Sequence, residues 1–159
     1  MRSARWAVRW DDQFLYLAVD LKDNEVVNGE IGEAIWKDDC LEVYVNSDGT
    51  DFNWGDSSAF QLGFSPTSSA GNPARWAWFQ RRAPTDREIQ TVWSPKKEVL
   101  EVAIAWSFLK ITPGLNRDIG FGFAFHDRDL KDGTPECKLT SSVGNIGKTR
   151  TRIGKMVLQ

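Results

Sequence analysis

The sequence predicts an all-β protein: a single domain spanning residues 1–159, built as an antiparallel β-sandwich of the immunoglobulin or jelly-roll type. Three observations predict it. Apolar residues recur with a period of two rather than 3.6, the alternating segments are short, and turn-forming residues separate them. A chain of 159 residues is also long enough to bury one core of ordinary size.

The elements follow in order. Trp6, Val8 and Trp10 alternate with Arg5, Ala7 and Arg9. After an Asp11-Asp12-Gln13 turn, Phe14 to Leu21 is a nearly continuous apolar run. Leu41, Val43 and Val45 alternate with Glu42, Tyr44 and Asn46, and Phe60, Leu62 and Phe64 with Gln61, Gly63 and Ser65. Trp76 to Arg81 and Ile89 to Trp93 read as two further strands. Leu100, Val102, Ile104 and Trp106 alternate with Glu101, Ala103 and Ala105, and one helical turn over Trp106 to Lys110 precedes Pro113. Ile119 to His126 alternates again, and Lys155 to Leu158 forms a closing strand. Ser47-Asp48-Gly49, Ser94 to Lys97, Thr112-Pro113-Gly114 and Lys131-Asp132-Gly133 supply the turns. Ser65 to Ala70 with Gly71-Asn72-Pro73 reads as an insertion within the domain, not a linker.

Composition excludes several function classes. Twenty Lys and Arg stand against 22 Asp and Glu, without the basic excess of an electrostatic nucleic-acid binder. No apolar run reaches the length of a membrane span. The first residues lack the apolar stretch of a signal peptide, so none is expected in this chain. The one histidine, His126, excludes multi-histidine metal centres. The unusual feature is aromatic content: eight Trp beside nine Phe and two Tyr, more flat side chains than a core of this size requires.

The alternation separates a bulky apolar face from a small or polar one. The second face collects Glu42, Tyr44, Gln61, Gly63, Glu101, Ala103, Ala105, Gly120, Gly122 and His126. Strand glycines indicate close approach to the backbone. The approaching group is either a flat ligand in a shallow concavity or bulky side chains from the loops. Trp36 and Trp54 lie in polar loop contexts, Ile35-Trp36-Lys37-Asp38-Asp39 and Asn53-Trp54-Gly55, which suit stacking residues. A sugar ring pairs an apolar C–H face with a hydroxyl rim, so an indole beside carboxylates and amides is the pairing it needs. Trp76, Trp78 and Trp93 sit in strands, where at least two are expected to serve the core or cross-strand pairs.

Five segments in order resemble family 9 carbohydrate-binding modules, within the wider DOMON-like group of sandwiches. Trp10 to Leu17 resembles the family's W-D-x-x-x-L-Y-V, and Trp36 to Asn46 its W-x-x-D-x-V-E-I-F-I-D. Leu100 to Trp106 is similar to V-E-x-A-I-x-W, Ile119 to Asp127 to I-G-F-N-x-x-x-N-D, and Ile153 to Leu158 to F-G-x-L-x-L. The resemblance implies a non-catalytic module that binds plant polysaccharide of β-1,4-glucan or xylan type, or its oligosaccharides, by aromatic stacking. It further implies a monomeric module within a larger, secreted glycoside hydrolase. Trp36 would form one wall of an aromatic clamp, and Glu42 and Gln61 would bond sugar hydroxyls, with Tyr44 and His126 on the same face. The sequence departs from the family in three places. Gln61 replaces a usual basic residue, and the family's opening segment is missing. The loop from Cys137 to Arg152 has no aromatic residue where the second clamp Trp belongs. Trp54 could replace that wall.

The resemblance also implies structural calcium. Two Asp-rich loops offer oxygen ligands: Asp48, Asp51 and Asp56 in one, Asp127, Asp129 and Asp132 in the other. Neither has EF-hand spacing, and a solvated turn is the alternative for each. Cys40 and Cys137 could form one disulfide in a secreted domain or remain two thiols. Rival functions are an enzyme, for which G-x-S-x-G, H-E-x-x-H, P-loop and Rossmann motifs are all missing; a haem-binding electron-transfer domain of the DOMON-like group, with His126, Met156 or lysines as axial ligands; and a structural accessory domain without ligand.

Overall fold

The period-two segments form two facing antiparallel sheets in the computed structural model, which describes residues 3–23, 25–67, 72–128, 151–159 and the backbone of 135–140. The first sheet has the order β1-β2-β8-β7, from β1 (Ser3–Trp10), β2 (Phe14–Lys22), β8 (Val99–Ala105) and β7 (Ile89–Ser94). The second has the order β10-β9-β3-β5-β6, from β10 (Pro135–Thr140), β9 (Asp118–Arg128), β3 (Cys40–Asn46), β5 (Ala59–Ser65) and β6 (Ala74–Ala77). β12 (Gly154–Val157) joins the other half of β9, and the two-residue strands β4 (Asp51–Phe52) and β11 (Thr151–Arg152) pair with each other. Among the described residues, helix is confined to α1 (Trp106–Leu109) and a 3-10 helix at Gly32–Lys37.

The apolar half of each alternation fills the space between the sheets. Leu15, Leu17 and Val19 of β2 and Leu100, Val102 and Ile104 of β8 face Leu41, Val43 and Val45 of β3, Phe60, Leu62 and Phe64 of β5, and Phe121 and Phe125 of β9. Trp93 and Trp106 are buried with them. The first family-like segment turns out to be structural. Asp11 Oδ1 accepts from the amides of Gln13 (2.8 Å) and Phe14 (2.7 Å), closing the β1–β2 turn. Asp11 Oδ2 accepts from the Tyr16 hydroxyl at 2.8 Å, and Trp106 Nε1 donates to the Asp11 carbonyl at 2.9 Å. The two amides, then the hydroxyl, hold the Asp11 carboxyl below its ordinary pKa range.

Four expectations need correction. The strand expected over Trp76 to Arg81 runs instead over Ala74–Ala77, because the chain turns at Trp78, with Arg81 in the left-handed region (φ 52°). Glu101, Ala103 and Ala105 do not share a face with Glu42. They belong to β8, in the other sheet, where Ala7, Ala18 and Ala103 floor a separate trough. A Cys40–Cys137 disulfide is precluded by topology. Cys40 pairs with His126 and Cys137 with Asp127, so β9 lies between them. Two inter-strand spacings amount to roughly 9.5 Å, beyond the ~7 Å reach of a disulfide. Cys40 is a buried free thiol, and burial raises its pKa. His126 and Met156 cannot flank one haem either. His126 points outward beside Glu42, while Met156 packs against the inter-sheet core.

Candidate functional site

The site residues stand on the outer face of the second sheet. Register places Glu42 opposite Ala124 and Gly63, Tyr44 opposite Gly122 and Gln61, and Cys40 opposite His126. Small neighbours leave room above the strands, and the chain fills most of it. A Cβ on Gly63 would come within 2.7 Å of Trp78 Cζ3 and 2.9 Å of Ile35 Cδ1, and one on Gly120 within 3.0 Å of the Gly49 carbonyl carbon. Of the two readings of the strand glycines, covering side chains and backbone account for these two. Tyr44, Phe52, Ala59, Ala124 and Ile153 form a second apolar cluster over the same face.

A polar cluster survives beside that cover. Tyr44 donates its hydroxyl to Glu42 Oε2, and Gln61 Nε2 donates to Glu42 Oε1 at 3.4 Å. His126 Nε2 lies 3.2 Å from Glu42 Oε2, close enough for an ion pair when protonated but out of line for a hydrogen bond. Glu42 and Gln61 are only 4% and 5% exposed. Burial, then the Glu42 charge, raises the Tyr44 pKa, so its hydroxyl stays a donor. Two buried polar atoms in this cluster, Gln61 Oε1 and His126 Nε2, have no hydrogen-bond partner.

Trp36 borders the cluster at His126, the two rings 6.4 Å apart in an edge contact. Ile35, fully buried, anchors the 3-10 helix and leaves the next residue, Trp36, 45% exposed. The Asp38-Asp39 pair fixes the helix exit. Asp38 Oδ2 accepts from the amides of Gly29 (2.6 Å) and Glu30 (2.7 Å), and Asp38 Oδ1 accepts from Arg128 Nη1 (2.9 Å). Asp39 accepts from the amides of Val27 (2.6 Å) and Arg128 (2.8 Å). Trp54, in the β4–β5 loop, is 53% exposed and packs edge-on to Phe79 at 5.0 Å.

The metal expectations fare differently. Asp51 sits in β4, Asp56 accepts from Asn53 Nδ2, and the Asp48 amide donates to Asn46 Oδ1; these three do not assemble into a ligand group. Asp129 and Asp132 lie outside the described residues. Asp127 belongs to a group that the sequence reading did not foresee. Carboxylate oxygens of Asp23, Asp39 and Asp127 lie within 4.8 Å of one another, with Asp39 and Asp127 buried. Desolvation raises the Asp39 pKa to about 7, with the Asp23 and Asp127 charges adding to it against the two amide bonds. The three are scattered over 104 positions of sequence (127 − 23), and only the β3–β9 pairing brings two of them together.

The antiparallel sandwich thus presents a half-exposed indole beside a buried polar cluster, an arrangement suited to holding a ligand. The family model described as "Carbohydrate family 9 binding domain-like" matches residues 2–159, and the chain belongs to that family of non-catalytic carbohydrate-binding modules. Two similar solved structures are family 9 modules from Caldicellulosiruptor kristjanssonii. One, in complex with glucose, superposes with a TM-score of 0.74 at 15% identity, covering 99% of this chain and 77% of that one. The other, in complex with cellotriose, gives 0.73 at 18% identity, covering 99% and 75%. At these identities the likeness is one of fold. No curated protein matches the chain significantly.

Proposed function

We propose that this domain binds plant polysaccharide of β-1,4-glucan or xylan type, or its oligosaccharides, by stacking a sugar ring on Trp36 and bonding its hydroxyls through Glu42, Gln61 and His126. The observation that carries the reading is the pair of buried polar atoms without a hydrogen bond, Gln61 Oε1 and His126 Nε2, on the face where the half-exposed Trp36 ring meets His126 edge-on. Unsatisfied buried polar groups cost about 1–3 kcal/mol each, and a hydroxyl that is both donor and acceptor relieves that cost. The glucose and cellotriose complexes of the two structural neighbours support the same class of ligand. One stacking platform with few fully desolvated atoms gives a weak site, with Kd from ~10 µM to the millimolar range.

Calorimetry with cellotriose and xylotriose tests this reading. Trp36→Ala should weaken binding by about 1–3 kcal/mol, roughly 5- to 150-fold, with an unchanged melting temperature because the indole is half outside. Loss of folding in that variant, with binding mapped elsewhere, would make Trp36 a packing residue. Glu42→Gln should also lower affinity about tenfold, and destabilise by about 1 kcal/mol as Tyr44 exchanges a charged acceptor for a neutral one. Unaltered affinity in Glu42→Gln would remove the carboxylate from the site.

The same reading places the domain as a monomeric accessory module of a secreted glycoside hydrolase, with structural calcium held by Asp23, Asp39 and Asp127. The donor chemistry fits: three hard oxygen donors, two of them buried, suit a divalent cation such as Ca²⁺. The ion would neutralise the cluster and brace the segment that carries Trp36.

A further inference from the structure

The outer face of the first sheet carries a trough of about 370 Å³, on the side of the molecule away from the Glu42 cluster. Its volume falls within the range of small-ligand sites. Strand register builds it. Ala7 pairs with Ala18, and Ala103 is the diagonal neighbour of Ala18 on β8, so three methyl groups floor the trough across β1, β2 and β8. Arg9 and Tyr16 pair along one side of this floor, and Glu101 and Val92 along the other. Alanine is depleted in strands because it offers its cross-strand neighbours little to pack against. A face that had only to be solvated would gain from larger side chains at these three positions, and their absence leaves the concavity open.

β1 and β7 are the edge strands of this sheet, so the trough crosses all four strands, roughly 14 Å by three inter-strand spacings, with no further strand to close either end. One wall is braced. The Tyr16 hydroxyl donates to Asp11 Oδ2 at 2.8 Å, and the Phe14 ring lies 5.9 Å from the Tyr16 ring, which is 38% exposed. An aromatic wall held in this way loses little freedom when a ligand packs on it. The rest of the rim is unspent. Arg9, Gln90 and Glu101 are exposed, and none has a hydrogen-bond or ion-pair partner among the described residues. They offer a cationic donor, an amide and an anionic acceptor whose charges cancel. An apolar floor between donors and acceptors fits a neutral ligand with C–H faces and many hydroxyls. A protein partner fits less well. Tyr16 and Val92 are the exposed large apolar side chains on this face, too few for the aromatic-rich core of an interface burying about 800 Å² a side.

Resting on the carbohydrate reading for its class of ligand alone, we infer that this trough is a second glycan-binding face, which takes an interior stretch of a neutral polysaccharide chain laid across the four strands. Ends open at both edges let a chain pass through, whereas a site for a chain end needs a closing wall. The domain then holds two chains at once, one on the outer face of each sheet. On a matrix of many chains the two faces reinforce each other, since the second contact forms at a high effective concentration.

The test is amide chemical-shift mapping of the isotope-labelled domain with cellohexaose and xylohexaose. Two separate groups of amides should move, one around Trp36 and one over Ala7, Ala18 and Ala103. Ala18→Gln fills the floor and Glu101→Ala removes a free acceptor from the rim. Each should weaken the response of the second group about tenfold and leave that of the Trp36 group within about twofold of the wild type, with melting curves confirming folding. A hexaose whose reducing ring has been opened by reduction should move the second group equally, and loss of that response would make the trough a chain-end site. Shifts confined to the Trp36 group would overturn the second face while the Trp36 reading stands, and shifts over the trough alone would do the reverse. Self-association of the sugar-free domain, abolished by Ala18→Gln, would give the trough to a second copy of the chain instead. If neither hexaose moves any amide, the carbohydrate reading falls and the second face with it.

Discussion

Gly63→Ala should lower the unfolding free energy by about 1–3 kcal/mol and weaken cellotriose binding in the same protein. Gly63 lies in β5, between two strands of the second sheet, opposite Glu42 on one side and Trp76 on the other. A methyl group there would collide with the Trp78 ring and with Ile35 Cδ1. Neither can yield freely. The indole is tethered through Nε1 to the Glu33 carbonyl, and Ile35 is fully buried as the anchor of the 3-10 helix. Relief therefore moves the helix, and with it Trp36. Urea melts and sugar titration should show both losses together. Gly114→Ala, where an added Cβ meets nothing within 4 Å, is the matched control and should stay within about 0.5 kcal/mol of the wild type. A Gly63→Ala protein as stable as that control would show that the cover over this face is loosely packed, and the positioning argument for Trp36 would fail.

What could be read in advance followed periodicity. Each alternating strand of the core was legible because burying one face forces period two, and the two short helices among the described residues agree with the near-absence of 3.6-residue patterning. The face shared by Glu42, Tyr44, Gln61 and His126 was legible for the same reason. Short pairings were not. β4 and β11 have two residues each, which carry no period, and the register that joins them is set by long-range contact. The 3-10 helix was missed because Gly32 to Lys37 spans only two turns, too short for a periodic signal. Sheet assignment also escaped, since a polar face looks alike in either sheet. Glu101 and Ala103 resemble Glu42 and Gly63 in sequence but lie on the opposite side of the molecule. The carboxylate group was hidden for a related reason. Asp-rich loops attract attention by local density, whereas Asp23, Asp39 and Asp127 come from three separate segments and meet only in the folded sheet.

That carboxylate group gives the second large expected effect, a calcium response that depends on pH. In the metal-free protein the Asp39 pKa stands near 7 against an ordinary value of 3.8, raised first by burial and then by the Asp23 and Asp127 charges. The folded state thus prefers the neutral acid. Its contribution to stability is complete below about pH 4 and is lost as pH rises through about 7, a change of up to ~4 kcal/mol. In a domain of this size that is roughly 8–16 °C of melting temperature. Calcium reverses the sign of the problem because it requires ionised ligands, so its affinity grows over the same interval. In EDTA the melting temperature should therefore fall between pH 5 and pH 8. Calcium at about a hundred times its Kd should restore ~2.7 kcal/mol at pH 8 and much less at pH 5. Asp23→Asn removes one of the charges acting on Asp39 from a partly exposed position. It should flatten the pH dependence in EDTA and blunt the calcium response, while Asp56→Asn, outside the group, should change neither. Identical melting curves in calcium and EDTA at pH 8 would remove the ion from the cluster. The fall with pH in EDTA would then remain as the signature of Asp39, because burial and the neighbouring Asp23 and Asp127 charges act on its carboxyl whether or not a metal ever binds.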